Sequence, residues 1–273
     1  MKNQNKGFQI NAITLLLWLG ILLVPFKSGA QNEDKMYYQL AYMKVKPGMY
    51  TDYLKLEREI WKPIHQERVK QGKAAGWYMY EILYPSGSGA EYDYVIVNSV
   101  KGWKGIETMW DGYMDIAKKV LTKEQMVLME KTESTRDIVK MELWTSEDGA
   151  FDELDSTAMY QVCNYMQIPS GKWEEYMSME KNLVKPVQQA EIKAGGRAGW
   201  GLYGMIFPYS DNAPYQAATV DFYYAWKDIG ASNGGDLWEK IHPDMSESYI
   251  SRQINESRTL VRQEVRVLVD QVD

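Results

Sequence analysis

Apolar and polar side chains alternate from Met36 to Val45, and Tyr, Met and Val dominate the run. It reads as a strand with two differently used faces. Pro47-Gly48 ends it. Tyr50, Tyr53, Glu57, Ile60 and Ile64 then recur every three or four positions, which sets them along one face of a 3.6-residue helix. Pro63 lies inside that helix, lacks a backbone donor and crowds the preceding turn, so a kink or a break is predicted there; Gly72 closes the helix. Two strand-like runs, 76–84 and 92–100, flank the turn-forming Pro85-Ser86-Gly87-Ser88-Gly89 and read as an antiparallel hairpin. Residues 103–131 are helical again, interrupted near Leu121, where Thr122 and Gln125 offer a capping box for a fresh start. Residues 138–144 alternate as a closing strand. The order is strand, helix, strand, strand, helix, strand.

The chain then says this a second time. Shifted by 123 positions without a gap, 41–106 falls on 164–229 with about 20 of its 66 residues unchanged. Tyr42 meets Tyr165, Tyr53 meets Tyr176, Glu57 meets Glu180, Lys62-Pro63 meets Lys185-Pro186, Trp77 meets Trp200 and Tyr80 meets Tyr203. The second copy supplies strands at 160–168, 200–207, 216–224 and 260–269. Its first helix is 171–194, and its second helical region, 226–257, is interrupted by Gly230, Gly234, Gly235 and Pro243. Domains are expected at 36–146 and 158–270. Between them 147–157 is rich in acids and poor in apolar residues, and reads as a linker.

Residues 1–30 carry Lys2 and Lys6, an apolar run from Ile13 to Phe26, and the small residues Ser28-Gly29-Ala30. That is the form of a signal peptide cut near Ala30, too short to be a good membrane span, and it predicts a periplasmic or secreted protein. Its removal leaves 28 basic against 37 acidic residues, net charge −9, which disfavours nucleic acid and anionic membranes as partners. Cys163 is the only cysteine, so no intramolecular disulfide forms, and its place in an alternating run predicts a buried, inert thiol.

The element order, the Lys46-Pro47-Gly48 turn leading into a helix that starts with an aromatic residue, and the tandem copy resemble the dimeric α+β barrel superfamily. That group includes antibiotic-biosynthesis-type monooxygenases, EthD-like and NIPSNAP-like proteins, muconolactone isomerases and haem-handling chlorite dismutase relatives. The resemblance implies an α+β fold of two tandem ferredoxin-like (βαββαβ) domains that pair, within one chain, as a pseudo-dimeric α+β barrel. It also implies a ligand between sheet and helices or, less often, inside the barrel.

Glu57 and Glu180 are the sharpest candidates for chemistry. Each falls in the apolar stripe of its helix, where a buried carboxylate is costly unless it is paired or protonated. A raised pKa would suit a general acid or base; hydrogen bonding to a tyrosine of the sheet would make the same Glu a helix anchor. Tyr42, Tyr53, Trp77, Tyr80, Tyr165, Tyr176, Trp200 and Tyr203, with Tyr92 and Tyr215, offer flat faces with polar tips for an aromatic or apolar ligand. Trp77 and Tyr80 are an odd number of positions apart, so a regular strand sends them to opposite faces. His65 joins the candidate ligand site, but the duplicated position is Gln188 and the other histidine, His242, is on a different helix. A haem axial ligand is poorly supported. No zinc spacing, phosphate loop or nucleophile elbow is present, so neither metal nor cofactor is expected. The functions left are binding of a small apolar or aromatic ligand in the sheet and helix clefts, a cofactor-independent oxygenase or isomerase using a buried Glu as base, or an interaction protein without a pocket.

Overall fold

The first copy builds strand β1 (Met36–Val45), helix α1 (Tyr50–Leu56), a π-helical turn (Glu57–Trp61), α2 (Lys62–Lys70), and the hairpin β2 (Gly76–Tyr84) and β3 (Tyr94–Lys101). Short helices α3 (Gly102–Glu107), α4 (Tyr113–Val120), α5 (Lys123–Met129) and α6 (Thr132–Thr135) lead into β4 (Arg136–Phe151). The second copy gives β5 (Tyr160–Gln167), α7 (Trp173–Met179), a second π-helical turn (Glu180–Val184), α8 (Lys185–Lys193), β6 (Gly199–Phe207) and β7 (Ala217–Tyr223). After a 3-10 turn come α9 (Gly234–Ile241), α10 (Glu247–Ser257) and β8 (Thr259–Val272). This computed structural model describes residues 35–154, 156–210, 213–231 and 234–273; the expected signal peptide lies outside the described residues. Among the described residues no helix is long and apolar enough to cross a membrane.

The eight strands close into one antiparallel barrel in the order β1-β3-β2-β8-β5-β7-β6-β4. Four neighbours come from each copy. The two seams are β4 against β6 and β2 against β8, each joining one copy to the other. These seams explain why β4 and β8 outrun their expected ends. Residues 147–151, expected as the start of a linker, are strand: Asp148, Gly149, Ala150 and Phe151 pair with Leu202, Gly201, Trp200 and Gly199. Likewise β8 continues to Val272, opposite Trp77. A strand partner across a seam satisfies backbone groups that a linker would leave to water.

Alternation sorts the side chains into two layers. Outward-facing Ala41, Met43, Trp77 and Met79 pack with Tyr53 beneath α1, while Met166, Trp200 and Leu202 pack with Tyr176 and Met179 beneath α7. Inward-facing Tyr42, Ile82 and Val95, and Trp144, Tyr165 and Ala218 opposite, fill the barrel. The closed sheet has no open edge, and both of its faces are used.

The prolines do not break their helices, which run on without interruption. Pro63 and Pro186 each sit one position into the α-helix that follows a π-helical turn, so the ladder widens before the ring arrives. The Lys62 N–H reaches back to the Glu57 carbonyl and the Lys185 N–H to the Glu180 carbonyl, both five residues away. The Glu59 carbonyl, which Pro63 has no N–H to meet, accepts instead from Gln125 Nε2 at 3.1 Å. Gln125 is also the second member of the expected capping box with Thr122.

Candidate functional site

Both candidate acids open their π-helical turns. Glu57 is 4% and Glu180 1% exposed, and burial raises each carboxyl to about 7. Arg136 pulls Glu57 the other way, and Arg258 does so for Glu180. Arg258 Nε stands 3.2 Å from Glu180 Oε1 but too poorly aligned for a hydrogen bond, and the Tyr53 and Tyr176 hydroxyls are buried without one. The chain thus holds two Tyr–Glu–Arg groups in matching places, with Arg136 opening β4 and Arg258 preceding β8. The arginines escape the repeat because they are 122 positions apart, one short of its offset. Neither Glu lines the barrel cavity described below.

His65 belongs to this outer layer too. It is buried, its Nδ1 lies 2.8 Å from Arg68 Nη1, and its ring stacks on Trp77 at 5.2 Å between centroids. Arg68 can only donate, so Nδ1 accepts. Burial, with the Arg68 charge adding to it, holds the ring neutral, well below its usual range. With a nitrogen committed to Arg68 and a face covered by Trp77, these residues do not fit a haem. His242 Nε2, 2.9 Å from the Leu183 carbonyl, ties α9 to the second π turn.

The interior of the barrel is where the sequence reading was least complete. Glu142 on β4 accepts from Tyr42 at 2.7 Å, Tyr215 at 2.5 Å and Trp144 Nε1 at 3.0 Å, and pairs with Lys140 at 3.2 Å. Glu264 on β8 accepts from Tyr92, from Tyr165 at 3.4 Å and from Arg266 Nη2 at 2.7 Å, and pairs with Arg262 Nε at 2.8 Å. Burial would raise Glu264, but Arg266, Tyr92 and Arg262 outweigh it and hold the carboxyl below its ordinary value. Burial drives the pKa of Tyr42 and Tyr165 well up, so both phenols stay protonated. Lys140, Glu142 and Trp144, and Arg262, Glu264 and Arg266, read as the wet side of two half-buried strands. Only closure of the barrel turns that side inward.

Above this floor opens a cavity of about 460 Å³, a size common for small-molecule sites. Its base is Tyr165, Cys163, Trp144 and Arg266, and its walls include Tyr38, Tyr78, Tyr80 and Tyr203. Phe151 and Leu154, both largely exposed, stand at the mouth with Asp273. Of the expected ligand residues, Tyr80, Tyr165 and Tyr203 line the cavity, and Tyr42 lies beneath it against Tyr165. Tyr53, Trp77, Tyr176, Trp200 and His65 do not; they pack under the helices with the two Glu residues. The odd spacing of Trp77 and Tyr80 accounts for this split. Cys163 is buried, and burial pushes its thiol up to about 12. Among the described residues no cluster of His, Cys, Asp and Glu is placed to hold a metal.

No family model matches the chain, and no curated protein matches it. Solved structures do. It is similar to a candidate monooxygenase from Fusobacterium nucleatum, at 8% identity and TM-score 0.56, over 88% of this chain and 94% of that one. An anthrone oxidase-like protein matches at 8% identity and TM-score 0.50, over 89% and 94%. A variant of chlorite dismutase from Candidatus Nitrospira defluvii matches at 9% identity and TM-score 0.52, over 87% and 92%. At such identities the likeness speaks for the fold alone: a mixed α/β chain with a closed eight-stranded antiparallel barrel.

Proposed function

We propose that this is an exported binding protein, built from a duplicated ferredoxin-like module, that takes a small flat ligand into the barrel itself. The observation that carries the reading is the cavity of about 460 Å³, walled by four tyrosines and open at one end. Flat rings with polar tips suit an aromatic guest, and a closed barrel is a scaffold that needs little rearrangement to receive it. The test is a fluorescence titration with phenylnaphthylamine, a neutral aromatic probe that brightens in apolar surroundings. Saturable one-to-one binding is expected, and Val220→Trp, which fills the cavity from β7, removes it without lowering thermal stability. Absence of binding, or equal binding by the filled variant, overturns the reading.

A second reading is favoured by the two Glu carboxyls raised to about 7 beside unpartnered tyrosine hydroxyls. It is cofactor-independent oxidation of a phenolic substrate, with Glu57 or Glu180 as the base. Oxygen uptake with anthrone, lost in Glu57→Gln together with Glu180→Gln, is its expected sign. Uptake that survives both substitutions rules it out.

A further inference from the structure

The barrel's two buried carboxylates are both taken up, Glu142 by Tyr42, Tyr215, Trp144 and Lys140, and Glu264 by Tyr92, Tyr165, Arg262 and Arg266. Arg266 is 3% exposed, and its Nε and Nη2 are committed to Glu264 and Tyr165. Nη1 has no hydrogen-bond partner among the described residues, and the guanidinium lines the cavity. Its counter-ion is shared. Glu264 also takes Arg262, which has a second carboxylate in the exposed Glu91, whereas Arg266 has Glu264 alone. A guanidinium edge that faces a cavity is met best by a planar anion.

The tyrosine walls agree. Tyr38, Tyr78, Tyr80 and Tyr203 make no side-chain hydrogen bond among the described residues, and burial raises all four, so each offers a proton and none a charge. The acid on the lining is Asp273, out at the exposed mouth.

The two copies differ where this matters. Arg266 and Trp144 hold corresponding places on β8 and β4, each two residues beyond its buried Glu. One end of the floor therefore carries a cation and the other an indole face, and a guest with a charged end and an aromatic body fits in one orientation.

Resting on the binding function proposed above, we infer that the barrel's ligand is an aromatic anion, a carboxylate, sulfonate or phenolate on a flat ring. Its charged group meets Arg266 Nη1 and the tyrosine hydroxyls, and its ring lies toward Trp144. The experiment pairs anilinonaphthalene sulfonate with phenylnaphthylamine, two probes alike but for the sulfonate. Wild type is expected to bind the sulfonate about tenfold or more tighter. Arg266→Gln brings the two affinities within about twofold of each other, and Arg266→Lys restores part of the preference. An anion preference that persists in Arg266→Gln, or a wild type that prefers the neutral probe, overturns the inference and leaves the binding function standing. Failure of both probes to bind removes both together.

Discussion

The hydroxyl oxygens of Tyr42 and Tyr165 lie 3.4 Å apart in the middle of the barrel, and the residues are 123 positions apart in the chain. That separation is the offset at which the sequence repeats. Equivalent side chains therefore meet at the centre, each held by a buried carboxylate, Glu142 for Tyr42 and Glu264 for Tyr165. Four predictions follow this arrangement outward, beside the binding tests already given.

Glu142 answers three hydrogen-bond donors and the Lys140 ammonium. Glu142→Ala leaves all of them facing a void, and should cost about 3–5 kcal/mol. Urea unfolding checks this as a lower midpoint with unchanged slope, and Glu142→Gln should recover part of the loss. A cost under about 1 kcal/mol would mean that the network is not what holds the core.

Glu57 and Glu180 should make the protein less stable as pH rises. Both carboxyls are raised from 4.5 to about 7, so between those values the folded chain holds protons that the unfolded chain has lost. Stability falls through that window and stays down above it, by about 3 kcal/mol for each group. Glu57→Gln with Glu180→Gln should be more stable than wild type at pH 8 and little different at pH 4.5. Parallel pH–stability curves for the two proteins would contradict this.

Gly201 lies inward on β6, where an added Cβ would come 2.6 Å from Tyr203 Oη and Cε2. The far end of the ring has room to swing into the cavity. Gly201→Ala should therefore weaken aromatic probes by about tenfold while changing stability by less than about 1 kcal/mol, because alanine also loses less backbone entropy than glycine. Undiminished affinity would place the ligand elsewhere.

Cys163 should be nearly inert while the chain is folded. With its thiol pushed up to about 12, the reactive thiolate at pH 8 is rarer than in the unfolded chain by about three orders of magnitude. A thiol-reactive chromogen should count one group per chain in denaturant and almost none without it. Comparable rates in the two conditions would show that the barrel floor opens readily.

Much of this was legible beforehand, and the misses share a cause. Met36–Val45 and Gly76–Tyr84 showed their strands by alternation, and Thr122 with Gln125 showed a helix start by hydrogen-bond complementarity that needs no distant partner. Pro63 signalled a disturbed helix, but a π turn answers the missing N–H, and its completion depends on Gln125, 66 positions from the Glu59 carbonyl. Arg136 and Arg258 are not legible as partners of Glu57 and Glu180 in the sequence, since nothing local ties the start of a last strand to a Glu on an earlier helix.

By itself the sequence determined the duplicated element order and which side chains share a face, because backbone periodicity is local. Their odd spacing alone puts Trp77 and Tyr80 on opposite sides of β2. What the sequence could not say was which side is dry. That was decided by the seams, where β4 pairs with β6 and β2 with β8. Closure there folds the charged faces of β4 and β8 inward, turns the expected linker into strand as far as Phe151, and encloses the cavity lined by Tyr80, Tyr165 and Tyr203.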